Sequence, residues 1–563
     1  MVRNVGVNFN GRNLVRPGAR SRIDASDIAV TGSGAEKKIA ILGQAEGGIP
    51  GEYVEYSTYS EARNNFRKGK LLEGAQLAWR EGAGPIGFIR MNEGSQASLT
   101  QGSMTLTSKM HASEANRIEA KLEDGNLEGS KRLTVGFWVD NIREVYDNIG
   151  PLFSVTHTGS NETATLSITK GTDGYAETVE LTVGALEPLR FSVGDGGQFK
   201  EVNRLIAEID SHPDIDAKLL GSYNKNIATK HLDAMASTDL IGTPATVTAF
   251  KGDLLTQVAN SRVVDVAIDG DTLPDNFGNT FLTGGADGDE PTSYASALDA
   301  LVGTGAYIIV PMTSDPVIQG EIASFIAQQT AIEQNAMRAF YGGALGETVD
   351  QILNRASSLN SDRSVVCYPG LVQSFDGQNE PALKPSYYTA CVVAGRVAGL
   401  EMGEPATFKN VQMLDTERPL STNELDRLVA GGVTVIEKVR SRNRSGFRIA
   451  QCITTYRDEL NPAFREESIN EMIDFLTAQL KDSLEDRFVG TRGTAFTPSV
   501  IKNAVQSFLD QKVRDEWLVE YQPESVVVEM EGEVVYVSYS AMPAHSINYI
   551  LITSKFYKTS IRA

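Results

Sequence analysis

Residues that bind metals or form disulfides are rare in this sequence. Its 563 residues include three cysteines and five histidines. The spacing of Cys367, Cys391 and Cys452 matches no zinc or redox motif. A sparse, odd set of cysteines is typical of proteins that assemble in a reducing cytoplasm. We therefore expect neither a metal centre nor a cofactor.

Positive charge and long apolar segments are also scarce. Lysine and arginine total 52 against 72 aspartates and glutamates, which gives a formal net charge of −20. A surface of this sign repels the phosphates of nucleic acids and anionic lipids. The sequence contains no run of about 18 apolar residues, as a membrane span requires, and its start lacks the apolar stretch of a signal peptide. Nucleic-acid binding and direct membrane insertion are therefore not expected.

The order of apolar segments predicts an α/β protein. The chain is long enough for roughly three to five domains. Ile39–Leu42 has the pattern of a short buried strand, two helical patterns follow it, and Ile86–Ile89 is the next strand. The alternation of strands and helices returns with a buried strand at Ala306–Val310. This order is typical of a parallel sheet with covering helices, so we predict one discontinuous α/β domain from 29–92 and 233–418.

Between these two parts the pattern changes to short alternating strands. Apolar residues alternate with small or polar ones in 133–139. Further alternating stretches, 166–168 and 179–183, lie on either side of a turn at 171–174. This pattern is typical of antiparallel hairpins. We predict that 93–232 is a β-sandwich inserted into the α/β domain.

The last part of the chain predicts a further α/β domain over 419–542. Ser421 and Glu424 have the spacing of a capping box, which starts a helix. The segment 469–484 carries a long apolar stripe at helical spacing. Two alternating stretches flank the dipeptide 531–532, which predicts a hairpin.

Both ends of the chain are predicted to be arms rather than domains, over 1–28 and 543–563. Apolar residues alternate with small or polar ones in each arm, and the strand of the N-terminal arm shows no hairpin partner. A strand without such a partner must pair elsewhere, although a frayed terminus, or pairing of the last strand within its own chain, is an alternative. The alternating apolar positions are Val5, Val7, Phe9, Ile547, Tyr549 and Leu551.

In the order of its motifs the sequence resembles the tail sheath family of contractile phages. The first motif is Lys37–Gly48, a strand followed by a Gly-rich turn. The second, Leu282–Gly288, is similar to the family's Gly-Gly-x-Asp-Gly turn before a helix. The third is Leu420–Ile436 followed by Cys452–Thr455, and the closing helix–helix–hairpin–strand order is the fourth. The resemblance covers nearly the whole chain, although Pro17–Arg20 only partly matches the family's Pro-Gly-Val-Tyr.

The resemblance implies both a fold and a mechanical function. The implied fold is a subtilisin-like α/β domain with an inserted β-sandwich, followed by a C-terminal α/β domain. Subunits are expected to stack as helical rings around an inner tail tube and to contract, driving the tube through the host cell envelope for genome ejection. The implied partners are further copies of the chain, the inner tube protein, and the baseplate and tail terminator proteins. The implied location is the virion tail, after assembly in the host cytoplasm.

The resemblance also assigns roles to the two arms and to one helix. In the family the arms add strands to the C-terminal domains of neighbouring subunits. The six alternating positions are therefore the expected inter-subunit residues. A charged helix is expected to face the tube, although a solvated helix face has the same pattern. The residues on or beside this helix are Lys502, Lys512, Arg514, Asp515 and Glu516.

Two other classes of protein are alternatives to a sheath. A subtilisin-like serine hydrolase needs Ser, His and Asp in hydrogen-bond reach, but none of the five histidines lies in a Gly-rich loop, so we expect no enzyme. A metal-binding adhesin would use carboxylate oxygens, although turn formation also explains the acidic clusters. The candidate ligand sets are Asp269, Asp271 and Asp275, and Asp287, Asp289 and Glu290. A tailocin or another contractile injector would share the sequence pattern of a phage sheath.

Overall fold

The fold is a mixed α/β arrangement of several units, as the sequence predicts. The computed structural model describes residues 7–9, 12–14, 37–220, 227–270, 272–331, 335–376, 380–441, 444–458, 462–490, 492, 497–531, 534–548 and 553–554. Within these ranges, every helix is too short or too polar to cross a bilayer.

A nine-stranded sheet, which we call the central sheet, is assembled from segments far apart in the sequence. Six neighbouring strands run parallel, and antiparallel strands complete both edges. In spatial order the strands are Asn410–Val411, Arg444–Gln451, Val433–Ser441, Ser364–Tyr368, Arg338–Gly342, Ile308–Pro311, Ile39–Gly43, Ile86–Arg90 and Tyr53–Tyr56.

Helices cover both faces of the central sheet because its strands are apolar on both sides. Ile39 and Ile41 point into one core, whereas Ala40 and Leu42 point into the other. Strands buried on both faces are a property of parallel sheets. The helices on the first face are Tyr59–Phe66, Lys70–Arg80 and Ser386–Ala398, and those on the second face are Ala295–Leu298, Pro316–Ala331, Val349–Leu359 and Thr422–Ala430.

The insertion is longer than the sequence predicts. Strand Val264–Ile268 pairs antiparallel with Met104–Ser108, and strand Phe277–Phe281 pairs antiparallel with Glu119–Asp124. The central sheet resumes only at Ile308–Pro311. The predicted return at residue 233 was therefore wrong. A strand pattern shows that a segment is extended, but it does not show which sheet the segment joins.

The insertion contains two β units with separate cores rather than one sandwich. In each unit two sheets and one helix share a core. We call them outer and inner because the sequence of the first encloses that of the second. The outer β unit comprises strands Ser98–Gln101, Met104–Ser108, Glu119–Asp124, Lys131–Phe137, Ile142–Ile149, Val264–Ile268 and Phe277–Phe281 and helix Phe250–Val258. The inner β unit comprises strands Pro151–His157, Ala164–Lys170, Ala176–Val183, Leu189–Ser192, Ile215–Leu219, Met235–Asp239 and Ala245–Thr248 and helix Val202–Asp210.

Arg90 and Asn92 join the insertion to the central sheet. Arg90 is fully buried, and its guanidinium donates to the carbonyl oxygens of Gly48 and Asp287, both at 2.9 Å. The side chain of Asn92 bonds both the N–H and the carbonyl of Ala45 at 2.9 Å. Because these contacts span the connections into and out of the insertion, they fix the base of the insertion to the sheet.

The Gly-Gly-x-Asp-Gly motif is the tight crossing of these two connections. Gly288 has a φ of 75°, and a Cβ at this residue would lie 1.5 Å from the carbonyl oxygen of Glu93. The carboxylate of Asp287 accepts the N–H and the hydroxyl of Ser113, at 2.8 and 2.6 Å. The motif therefore needs glycine for space and conformation, and aspartate for a turn contact.

The predicted domain boundary at 418/419 divides the central sheet. Strand Val433–Ser441 pairs parallel with Ser364–Tyr368, and its hairpin partner Arg444–Gln451 lies beside it. The helix before this hairpin, Thr422–Ala430, starts with the predicted capping box of Ser421 and Glu424. This hairpin therefore belongs with the α/β core. A small sheet of Leu371–Gln373, Ala382–Lys384 and Asp415–Thr416 flanks the core.

After this hairpin the chain forms a separate C-terminal unit. It comprises helices Glu467–Phe488 and Thr497–Arg514 and strands Leu518–Tyr521, Val527–Glu531, Val534–Ser538 and Ala541–Pro543. A short 3-10 turn within this unit is Pro523–Ser525. The other 3-10 turns of the described residues are Ser113–Arg117, Trp138–Asp140, Thr229–His231, Asp299–Leu301 and Pro462–Arg465.

Candidate functional site

Buried charges anchor the long helix Glu467–Phe488 against the α/β core. Nζ of Lys37 lies 2.6 Å from Oε1 of Glu471, and both side chains are at most 1% exposed. Lys37 also donates to three carbonyl oxygens at and just after the end of helix Ser386–Ala398, at 2.8–3.2 Å. The C-terminal end of a helix favours a cation. The N–H of Gly403 donates to Glu471 at 2.8 Å, so the carboxylate has a second partner.

Further buried ion pairs lie on the same helix, one turn before and one turn after Glu471. Arg338, on a central-sheet strand, contacts Glu467 at 2.5 Å and Asp474 at 2.9 Å. Asp474 also accepts the hydroxyl of Tyr307 at 2.9 Å and pairs with Arg363. Removing one partner of a buried ion pair costs about 3–5 kcal/mol, because the remaining charge is left without compensation. The first half of the helix is therefore firmly fixed to the sheet.

Burial raises the pKa of Glu471 to about 7, because the ionised carboxylate is removed from water, while the neighbouring Lys37 opposes the shift. The ion pair with Lys37 is therefore complete above neutral pH. Below that pH the carboxyl group takes up a proton while Lys37 keeps its carbonyl partners. The sequence analysis missed this network. A signal was present, since Glu467, Glu471 and Asp474 recur at intervals of four and three and so lie on one helix face.

Beyond Asp474 the long helix enters the core of the C-terminal unit. Its apolar stripe packs against helix Thr497–Arg514 and against the strands that follow. The second half of the predicted stripe, from Leu476 onwards, and the closing helix–hairpin order thus form one small core at the end of an anchored helix. The buried side chains of this core are Leu476, Leu480, Ile501, Val505, Leu509, Leu518 and Val526.

A hairpin on this core exposes apolar side chains and two strand edges. We call Val527–Glu531 and Val534–Ser538 the C-terminal hairpin, and their register runs from Val527 opposite Ser538 to Glu531 opposite Val534. Within the described ranges neither strand pairs with a third one. Unpaired edges present free N–H and C=O groups to another chain. On the outer face Val527, Val534 and Tyr536 are 44%, 50% and 55% exposed.

The C-terminal arm leaves the C-terminal unit beside the start of the long helix. Ser546 and Asn548 both bond the carboxylate of Glu466, with Nδ2 of Asn548 at 3.3 Å. Ile547, between them, is 84% exposed and belongs to no described strand. Of the predicted interface residues in this arm, Tyr549 and Leu551 lie outside the described residues. Glu466 therefore fixes the point from which the arm departs.

The N-terminal arm has a strand partner that the sequence analysis did not find. Val7–Phe9 pairs antiparallel with Arg12–Leu14, so Val7 lies opposite Leu14 and Phe9 opposite Arg12. The expectation of a lone strand without a hairpin partner was wrong, because a two-residue connection at 10–11 is enough to close a hairpin. Val5 lies outside the described residues.

Comparison with known proteins identifies the family. A model described as the phage tail sheath protein central domain matches residues 288–455. The chain is 32% identical to the tail sheath protein of Staphylococcus phage Twort over 99% of each chain. The chain belongs to the phage tail sheath protein family. It is also 35% identical to a protein of Enterococcus phage phiEF24C, over 97% of each chain.

A solved sheath structure has a similar fold. The sheath tail protein from Listeria innocua superimposes with a TM-score of 0.55 at 14% identity, covering 92% of this chain and 95% of that one. The matched central domain of the family, 288–455, ends just after the hairpin that completes the central sheet. Family membership therefore confirms the resemblance read from the order of motifs.

The predicted tube-contact residues of the sheath chain differ in accessibility. Lys512 is 11% exposed, and its Nζ lies 3.8 Å from the centroid of the Trp517 ring. Arg514 and Asp515 are exposed, and each bonds Gln511 at 2.7 Å. Lys512 thus packs against its own unit. The exposed charges are Arg514, Asp515 and Glu516, whereas Lys502 is half-buried.

The groups considered for catalysis and metal binding have structural contacts. Ring nitrogens of His111 and His212 lie 3.3 and 2.7 Å from backbone carbonyl oxygens. Glu290 pairs with Lys70 at 2.9 Å. Asp271 lies outside the described residues, and the described ones contain no group of three His, Cys, Asp or Glu side chains arranged to hold a metal. The related proteins are tail sheath proteins rather than enzymes.

Proposed function

We propose that this chain is the structural subunit of a contractile sheath. Its copies polymerise as stacked helical rings around an inner tail tube, and contraction of the rings drives the tube through the host cell envelope for genome ejection. The observation that carries the proposal is the C-terminal hairpin, which combines two unpaired edges with an exposed apolar face. Such a surface is suited to receive strands from other chains.

Each arm supplies a strand to the C-terminal hairpin of a neighbouring subunit. Each backbone hydrogen bond contributes about 0.5–1.5 kcal/mol, so a strand with five bonds contributes on the order of 5 kcal/mol. Apolar alternation sets the register, because a shift by one residue turns the apolar side chains to the opposite face. The exposure of Ile547 supports this role. The proposed inter-subunit residues are Val5, Val7, Phe9, Ile547, Tyr549 and Leu551.

The anchored helix gives this exchange a mechanical consequence. Because buried ion pairs fix the helix Glu467–Phe488 to the central sheet, a pull on the C-terminal hairpin is transmitted to the α/β core. Contacts that extend into a helical array are head-to-tail rather than two-fold. The extended sheath is held by a kinetic barrier, and rearranged contacts between subunits release its energy on contraction.

The α/β core has a subtilisin-like arrangement, supported by its parallel strands with helices on both faces. The domain division that best fits the pairing keeps the N-terminal arm at 1–28 and places the insertion at about 93–287. It starts the C-terminal arm just after Pro543, which pairs with Leu518 in the C-terminal unit. The α/β core then takes 29–92 and about 288–455, and the C-terminal unit follows. Within this division the insertion lies on the outside of the sheath.

Further partners follow from the same function. The sheath contacts the inner tube protein, the baseplate and the tail terminator, and assembles in the cytoplasm of the bacterial host. A weak charged contact suits a sheath that must slide on its tube, since exposed ion pairs contribute about 0–1 kcal/mol each. The exposed charges next to helix Thr497–Arg514 are the proposed tube contact, with Lys512 in a supporting role.

Truncation of the arms tests the proposal. We expect the purified full-length chain to form striated hollow tubes in negative-stain micrographs, whereas a chain lacking 1–28 and 545–563 stays monomeric but folded, as its thermal transition would show. A second variant of full length exchanges Val5, Val7 and Phe9 for threonine. It keeps the backbone of the arm but removes the apolar side chains, so we expect it to polymerise poorly. A truncated chain that forms tubes as readily as the intact one would refute strand exchange.

A further inference from the structure

Both arms are basic although the whole chain is acidic. The first 23 residues contain no aspartate, glutamate or lysine, and every residue from 534 to the end is free of aspartate and glutamate. The cations of the two arms are Arg3, Arg12, Arg16, Arg20, Arg22, Lys555, Lys558 and Arg562. A chain with a net charge of −20 therefore ends in two positively charged segments.

The C-terminal hairpin and the segments that precede and follow it in the sequence have the opposite charge. The segment 518–543 contains no lysine, arginine or aspartate, but it contains Glu520, Glu524, Glu529, Glu531 and Glu533. Glu529 and Glu531 are exposed and alternate with half-buried Met530 along one strand, so they share the outer face with Val527. Within the described ranges, Glu520, Glu524, Glu529 and Glu531 have no ion-pair partner. The outer face thus combines apolar side chains with uncompensated negative charge.

We propose that the basic arms recognise the acidic C-terminal hairpin of a second copy by complementary charge. The inference rests on the strand exchange proposed above, and it adds that attraction between opposite charges guides each arm to its hairpin. The bodies of acidic subunits repel one another, whereas a basic arm is attracted to an acidic hairpin before any backbone bond forms. Complementary charge also disfavours wrong pairings, since like charges placed opposite each other in a sheet are destabilising.

Charge recognition makes assembly sensitive to salt. At about 0.15 M ionic strength, exposed charges are screened beyond about 8 Å. Because salt screens the repulsion between the acidic bodies in every version of the chain, the informative quantity is the advantage in assembly of the wild-type chain over the charge-reversed variants described below. That advantage should shrink with added salt. Backbone hydrogen bonds and apolar contacts alone predict no such convergence, because salt acts on them equally in the wild-type chain and in the variants.

Two charge-reversed variants and their mixture test the inference. The arm variant carries Arg12→Glu, Arg16→Glu, Lys555→Glu and Lys558→Glu, and the hairpin variant carries Glu529→Lys and Glu531→Lys. In each variant the arm and the hairpin have the same sign, so we expect the concentration needed for tube formation to rise about tenfold or more. In an equimolar mixture every arm finds a hairpin of opposite sign on the other variant, so assembly should be restored.

Matched controls separate this inference from strand exchange itself. Glu162→Lys with Glu187→Lys reverses two exposed charges on the inner β unit and should leave assembly unchanged. Near-wild-type assembly of both charge-reversed variants, or a mixture that does not recover, would overturn charge recognition. If the truncated chain without arms fails to assemble in the same series, strand exchange stands even though charge recognition does not. Thermal unfolding of each variant confirms that the monomer is folded.

Discussion

Lys37 and Glu471 form an ion pair in the interior of the protein, with Nζ 2.6 Å from Oε1. The pair connects the segment before the first central-sheet strand to the helix that carries the C-terminal unit. Because the C-terminal hairpin is the proposed receptor for neighbouring arms, this pair lies on the path by which force between subunits reaches the α/β core. Its strength is therefore relevant to the mechanical role of the chain.

Removing Lys37 tests the anchor directly. Lys37→Met removes both the cation beside the buried Glu471 carboxyl group and the donor to three carbonyl oxygens, so we expect the free energy of unfolding to fall by about 3–5 kcal/mol. Lys38→Met is the matched control, because the ion pair of Lys38 with Glu55 is partly exposed to solvent, and should cost about 1 kcal/mol. Urea unfolding measures both values. Equal effects of the two substitutions would contradict a buried anchor.

The raised pKa of Glu471, about 7, predicts how stability depends on pH. In the unfolded chain this carboxyl group has an ordinary pKa near 4.5, so between these values the folded protein holds a proton that the unfolded chain has released. The contribution of Glu471 to stability therefore rises as the pH falls from about 7 towards 4.5. Glu471→Gln should remove about 1–3 kcal/mol of pH dependence over this range. An unchanged pH profile in the variant would show that another group is responsible.

Gly288 tests the crossing at the base of the insertion. An added Cβ would meet the carbonyl oxygen of Glu93 at 1.5 Å, and the φ of 75° is unfavourable for alanine. Gly288→Ala should therefore destabilise the protein by more than about 3 kcal/mol. Gly174→Ala has a similar φ of 80° with open space around the glycine, so it isolates the conformational cost of about 1–2 kcal/mol. Calorimetry that finds equal losses would contradict the close approach.

Lys512 is expected to stabilise the C-terminal unit rather than to bind the tube. Its Nζ lies 3.8 Å from the Trp517 ring centroid and 5.5 Å from that of Phe508. Lys512→Ala should lower the stability of this unit by about 1–2 kcal/mol, whereas Lys502→Ala on the same helix should change it by at most about 0.5 kcal/mol. Hydrogen exchange of the unit measures both. If Lys512→Ala weakens tube binding but leaves the protection of the unit from hydrogen exchange unchanged, Lys512 contacts the tube and this prediction is wrong.

The sequence predicts those features that depend on neighbouring residues. The capping box of Ser421 and Glu424, the apolar stripe of the long helix and the alternation in the C-terminal hairpin are all local, and the structure has each of them. Features that depend on distant pairing were predicted poorly. Strand Val264–Ile268 joins the insertion because of its partner Met104–Ser108, which lies far away in the sequence.

The candidate site also contains both local features, which the sequence predicts, and features that depend on distant contacts, which it does not. The alternating apolar residues of the arms are visible in the sequence because the periodicity of a strand is local. The buried partners of Glu471 and Asp474 are not visible, since each ion pair joins segments that only the folded chain brings together. The sequence predicts the C-terminal hairpin but not its unpaired edges, because those edges are a property of the whole fold.

Disulfide trapping between two tagged versions of the chain tests strand exchange most directly. The native cysteines are buried and so should not react. One version carries a single new cysteine at an arm position, scanned over Val5, Val7, Phe9, Ile547, Tyr549 and Leu551, and the other carries Val534→Cys in the C-terminal hairpin. In mixed tubes we expect oxidation to yield a covalent dimer of the two versions at alternate arm positions. Tubes in which no arm position forms such a dimer with the hairpin would contradict the account.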